Sequence, residues 1–265
     1  MRSIIIILIL IFNYHSNAAV VVFDQGHGQQ FFIEGQSTLD LNNLAQLFRD
    51  SGYQVISTSA PLDTQLQNAD VYVISGAFKD FDTYESKVLF DFINQGGNVA
   101  IMLHVGPLNG RLLERLGVMV SNGIVHDPGA ALDDSGQQFM VGNLPHHPIF
   151  HGLDNFNMYG AWALKNKTEE HQLIASTTES SWVDVTRSKQ SKNNPSGSFG
   201  VVLSGTIGQG KLIVFGDDAM FQNRFLTGNN LKLAYNLINW LTPVKNKMVK
   251  QGVVKELKRV TLMAQ

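Results

Sequence analysis

Between Val20 and Leu103 the chain alternates short, largely apolar runs with segments whose apolar residues recur at helical spacing, and few architectures accept that pattern. The runs are VVVFD at 20–24, YQVIST at 53–58, DVYVISG at 70–76 and NVAIML at 98–103. A strand with no polar face must be covered on both sides, as a central parallel strand is when helices pack above and below it. The intervening segments supply those helices. Ser37-Thr38-Leu39-Asp40 resembles a capping box ahead of Leu41, Leu44, Ala45, Leu47 and Phe48, and Gly52 stops that helix. A second helix is expected from Tyr84 to Asn94, with Val88, Leu89, Phe92 and Ile93 inward and Gly96-Gly97 as its stop.

The pattern then weakens. Arg111 to Leu116 predicts a short helix and Gly117 to Val120 a short edge element, after which HDPGAALDDSG and LPHHPIFHGLDNF have loop compositions up to about Asn166. Regularity returns at Gln172–Ala175 and Ser181–Val185, breaks at SKQSKNNPSGS, and resumes in FGVVLSGTIGQGKLIVFGDD. That last stretch is two apolar runs joined by Gly208-Gln209-Gly210, a hairpin signal. LKLAYNLINWL is a final amphipathic helix. With no repeat and no long linker, residues 19–244 read as one α/β domain with a mostly parallel, doubly wound, flavodoxin-like sheet and a late antiparallel hairpin.

The two ends read differently. Arg2, an apolar run from Ile4 to Phe12 and the small residues Ser16 and Ala18 match a signal peptide over residues 1–18, so the mature chain is expected in the periplasm or outside the cell. Residues 245–265 form a basic tail whose lysines accompany Val253, Val254, Leu257, Val260 and Leu262. Such a tail could touch an anionic membrane, and a helix packing one apolar stripe on the domain is the simpler expectation. There is no cysteine, hence no disulfide framework, lipid anchor or thiol nucleophile. A net charge of −2 offers no field that would collect nucleic acid.

In an open α/β sheet ligands bind at the carboxyl ends of the strands. Those ends carry Asp24, Gln25, His27 and Gly28 after the first strand, Gly76 after the third, His104 and Gly106 after the fourth, and Asp217 and Asp218 after the last. These residues are the expected ligand contacts, with His104, His27 and Asp24 as the candidates for any catalytic role. Asp24, His27, Asp217 and Asp218 could together hold a divalent cation, or could equally cap helices and pin loops. No diagnostic metal spacing is present and no cofactor is expected. His126, His146, His147 and His151 gather in the irregular middle segment, as a metal or base cluster or as plain loop composition. Tyr159, Trp162 and Trp182 could stack on a sugar ring, although such residues more often fill a core.

Four stretches carry a resemblance. FDQGHGQQF with the following helix and GYQV, GGNVAIML, HHPIFHGLDNF, and GQGKLIVFGDDAMFQN with NNLKLAYNLINWL together resemble the class I glutamine amidotransferase-like fold, in the DUF4350 branch related to trehalose-utilisation-like domains. In amidotransferases of this fold a cysteine stands on a strand-to-helix elbow. At the matching position this chain has His104, and imidazole cannot replace the thiol in acyl transfer, so the resemblance argues against amidotransferase activity. Together with the leader-like N-terminus, it implies instead an exported, non-catalytic module that binds a small molecule, such as a saccharide, or a partner protein in the crevice at the strand ends. The alternative is a hydrolase in which Asp24, His27 and His104 activate a metal or a water.

Overall fold

A computed structural model of the chain describes residues 18–104, 110–185 and 193–243. In chain order the first half contains β1 (Val20–Asp24), α1 (Asn42–Asp50), β2 (Gln54–Thr58), α2 (Leu62–Leu66), β3 (Val71–Ser75), α3 (Thr83–Asn94), β4 (Asn98–Met102) and α4 (Gly110–Arg115). The second half contains β5 (Val118–His126), β6 (Gln138–Val141), β7 (Phe156–Tyr159), β8 (Trp162–Asn166), β9 (His171–Ser176), β10 (Trp182–Asp184), β11 (Gly200–Ile207), β12 (Gly210–Phe215) and α5 (Gly228–Leu241). The expected signal peptide, apart from Ala18, and the basic tail from Lys245 onward lie outside the described residues.

The fold is the expected α/β one. Strands β2, β1, β3, β4 and β12 run parallel in that order, and β12 turns through a hairpin into antiparallel β11. Side chains on each parallel strand alternate between two cores, as the period of two requires. Val21, Phe23, Val71, Val73, Ala100, Met102, Ile213 and Phe215 face α1 and α5. Val22, Tyr72, Ile74, Val99, Ile101, Leu212 and Val214 face α2, α3 and α4. The sheet order reverses at β1, which lies between β2 and β3 although β3 follows β2 in the chain. That reversal opens a crevice between the loops leaving β1 and β3.

The antiparallel part is larger than a hairpin. Beyond β12 the ten-stranded sheet continues as β11, β8, β5 and β10, with β9 also paired to β11. The expected edge element at Gly117–Val120 is the start of β5, whose nine residues sit inside the sheet between β8 and β10. Its register slips between Val120 and Ile124, and that irregularity breaks the alternation that marks a strand in a sequence. Strands β6 and β7 form a separate two-stranded ribbon whose Phe139, Val141, Phe156 and Met158 pack into the α1–α5 core. The expected capping box at α1 is absent: Asp40 turns back to accept from the backbone N–H groups of Phe32 and Ser37 and pins the preceding loop. A true capping box stands at α3, where Asp82 accepts from Glu85 N and Glu85 accepts from Asp82 N.

Candidate ligand site at the strand ends

The expected site residues divide into two groups, and strand alternation is the cause. Asp24 follows Phe23 on β1 and so falls on the α2–α3 side of the sheet, where it meets His27. His27 Nδ1 lies 2.7 Å from Asp24 Oδ2 and Nε2 lies 3.4 Å from Glu85 Oε1, while the ring stacks on Phe81 at 3.5 Å. Gln29 donates to Asp24 Oδ2 at 2.7 Å and accepts from His27 N. His27 O in turn accepts from Phe78 N and Lys79 N, tying the β1 loop to the β3 loop. The crevice at the sheet reversal is therefore filled by the protein's own side chains. His27 is only 3% exposed, so the residue that most resembles the lip of a site is an internal brace. Burial alone would lower its pKa; the hydrogen bond and charge of Asp24, joined by Glu85, outweigh it and raise the pKa above the ordinary value.

The second group is the open one. His104 follows β4 and places Nδ1 2.9 Å from Asp218 Oδ1, just past β12. Its ring lies 5.2 Å from Phe31 and 4.8 Å from Phe78, both half-buried, and its side chain remains 24% exposed. Among the described residues Nε2 has no hydrogen-bond partner. Gly76 forms the floor: a Cβ there would stand 2.6 Å from Asp218 Oδ2, and its φ of +58° is a conformation that glycine adopts without strain. Beside Gly76, the Ser75 hydroxyl is buried and has no hydrogen-bond partner among the described residues.

Behind this pair lies Asp217, 1% exposed, which accepts from Tyr159 N at 2.7 Å through Oδ2 and from Ala219 N at 2.9 Å through Oδ1. Burial and the neighbouring Asp218 push its pKa to about 7, against the pull of its backbone donors. At His104, burial lowers the pKa, and the hydrogen bond and charge of Asp218, with the charge of Asp217, carry it above the ordinary value. Burial raises Asp218, and His104 opposes that rise. With its pKa raised, His104 is placed to share a proton with the buried Asp218 carboxyl across this 2.9 Å contact.

Asp24 and His27 do not join His104, Asp217 and Asp218 in one constellation. Asp217 and Asp218 leave β12, three strand spacings or about 14 Å from β1, while His104 leaves β4, two spacings or about 10 Å away, and by its parity with Met102 falls on the opposite side of the sheet from Asp24. Among the described residues no three histidine or acidic side chains converge to hold a metal ion. Gln25 donates to Glu34 at 3.0 Å, away from His104, and Gly28, at φ +73°, turns the β1 loop beside Lys79. Gly106 lies outside the described residues.

Three of the four middle histidines do come together. His146, His147 and His151 line a 620 Å³ groove with Trp240, Asn236 and Asn239, whereas His126 is buried against Trp182 at 4.0 Å. His147 Nδ1 accepts from Ile149 N, so the neutral ring donates through Nε2 to Ser204 Oγ at 3.3 Å. That tautomer cannot take a proton from Ser204, and the pair is no nucleophile-base dyad. Trp162 and Trp182 are 8% and 7% exposed and belong to the core rather than to a stacking platform, while Tyr159 is half-buried and stacks on Phe225 at 3.9 Å. Sequence reasoning passed over Phe31 and Phe78, whose only signal was an aromatic residue in each loop leaving β1 and β3.

The site's chemistry is that of a hydrogen-bonding centre: one partly exposed imidazole, oriented by a buried carboxylate and flanked by two aromatic rings. Several solved structures share the fold. The mmIFT52 N-terminal domain aligns with a TM-score of 0.66 at 19% identity, covering 83% of this chain and 96% of that one. ThuA-like proteins from Bacteroides uniformis and Parabacteroides merdae align with TM-scores of 0.53 and 0.51 at 13% and 10% identity, covering 84% and 85% of this chain and 91% and 90% of theirs. No curated protein matches the sequence. The model of the DUF4350 family, described as a domain of unknown function, matches residues 41–238, and the chain belongs to that family.

Proposed function

We propose that this chain is an exported, non-catalytic module that binds a small neutral ligand of the saccharide class at the carboxyl ends of its parallel strands. The observation that carries the reading is His104, a partly exposed imidazole held by Asp218 at 2.9 Å between the half-buried rings of Phe31 and Phe78. Sugars present hydroxyls to such a charged donor and C–H faces to such rings. Export rests on the leader-like pattern of residues 1–18.

The test is calorimetric titration of the purified chain with a panel of neutral mono- and disaccharides, repeated on His104→Ala and Phe78→Ala. A hydrogen bond to a charged group is worth about 1.5–3 kcal/mol, so His104→Ala is expected to weaken binding by about 10- to 100-fold. A panel that gives no heat, or variants that bind like the parent, would overturn the proposal. Turnover of a glycosidic or ester substrate that is lost on His104→Ala would replace it with the hydrolytic alternative, reduced to the His104–Asp218 pair.

A further inference from the structure

We infer that Trp162 is a positioning residue for His104, so that the antiparallel half of the sheet sets the geometry of a site built on the parallel half. The inference rests on the reading of His104 as the ligand contact. Its structural ground is the indole Nε1–H of Trp162, which donates to the main-chain carbonyl of His104 at 2.9 Å. On the strand side, Leu103 N donates to Phe215 O at 3.0 Å and fixes the end of β4. Among the described residues the indole is the group that holds the His104 main chain itself.

Trp162 is well placed to act as a fixed point. Its own N–H donates to Gly216 O at 2.8 Å, and it pairs with Ile124 in β5. A Cβ on Gly216 would meet Trp162 O at 2.3 Å, so the close approach of β8 to the end of β12 depends on that glycine. Two residues past Gly216 comes Asp218, the partner of the His104 ring. Trp162 thus grips both the main chain that carries the imidazole and the turn that carries its carboxylate. Asp217 adds a parallel tie by accepting from Tyr159 N at 2.7 Å at the end of β7. Without the indole donor the His104 carbonyl is free to rotate, and the ring loses its register on Asp218.

Two measurements test this without any ligand. Histidine-selective NMR titration of the chain and of Trp162→Phe, which keeps an aromatic ring and removes the donor, follows the His104 ring. The variant is expected to titrate at a lower pH than the parent, closer to the ordinary histidine value of about 6.5. In the parent itself, the Trp162 indole proton is expected to be protected from solvent exchange and to shift with the same midpoint as the His104 ring. This second readout stands even if Trp162→Phe fails to fold. An unchanged His104 titration in a folded Trp162→Phe, or an indole proton that exchanges freely and ignores the titration, would overturn the inference. A parent chain that binds no saccharide yet shows both signatures would defeat the proposed function and leave the positioning role intact.

Discussion

Asp217 and Asp218 are neighbours, both buried, and yet they answer to different partners. Asp218 has an imidazole to share its charge, whereas Asp217 has backbone N–H donors and a like charge beside it. Its pKa of about 7 against 3.8 in the unfolded chain means that the folded state binds a proton more tightly. Where the folded state holds more protons, stability falls as pH rises. Between pH 4 and 7 the chain is therefore expected to lose up to roughly 4 kcal/mol through this one residue, by the conversion of about 1.36 kcal/mol per pKa unit. His104, with its raised pKa, adds a loss in the same direction from about pH 6.5 upward, its stabilisation being complete below the unfolded value. Asp217→Asn should flatten the acid-to-neutral part of the profile even if its absolute stability is lower. Urea midpoints measured at intervals from pH 4 to 8 check this, and equal slopes for parent and variant would contradict it. At this scale the sequence shows which residues end the strands, but not which side of the sheet each one faces. His27 and His104 look equivalent as strand-end histidines, and only the parity of their positions and the residues arriving from α3 separate a brace from a ligand contact.

Among the elements, α3 shows how a local signal can be present and overlooked. Asp82 and Glu85 stand three residues apart ahead of an apolar stripe, the capping-box spacing, while the more conspicuous Ser37–Asp40 stretch serves a loop. Glu85 also faces His27 at 3.4 Å, so the cap of α3 is joined to the brace in the crevice. Asp82→Ala should cost about 1 kcal/mol, the usual loss for an N-cap, read as a lower urea midpoint at unchanged slope. A loss near zero would mean that Glu85 holds the first turn by itself. The central parallel strands β1, β3, β4 and β12 were legible because they are apolar on both faces, and α3 and α5 because their periodicity spans several turns. Strands β5, β6, β7 and β8 were not: β5 is interrupted by a register slip, and the ribbon and its loops are short and rich in Pro, Gly, Asp and His. Short irregular pairings are specified by partners distant in the chain, and no window of sequence contains those partners.

For the whole molecule, the decisive fact is the place of the last two strands. β12 lies between β4 and β11, so the C-terminal hairpin is the seam between the parallel and antiparallel halves of the sheet. After it comes α5, which covers the same face as α1. A fragment of residues 18–199 would lack β11, β12 and α5, exposing one edge of β4 and stripping the α1 face of Ile213, Phe215, Leu233, Leu237, Ile238 and Leu241, each fully buried in the chain. At about 1.5–3 kcal/mol per side chain, those six residues contribute on the order of 10 kcal/mol or more. That matches the entire net stability of a typical domain, about 5–15 kcal/mol. The fragment should therefore show no cooperative unfolding transition and a poorly dispersed amide spectrum, while residues 18–243 unfold in one step. A folded fragment would mean that β1 to β10 hold together without the C-terminal hairpin and α5, and the seam would then serve the site rather than the fold. Because the site needs Asp218 from beyond β12, even that outcome leaves the fragment without the carboxylate that orients His104, and its histidine should titrate near the ordinary value.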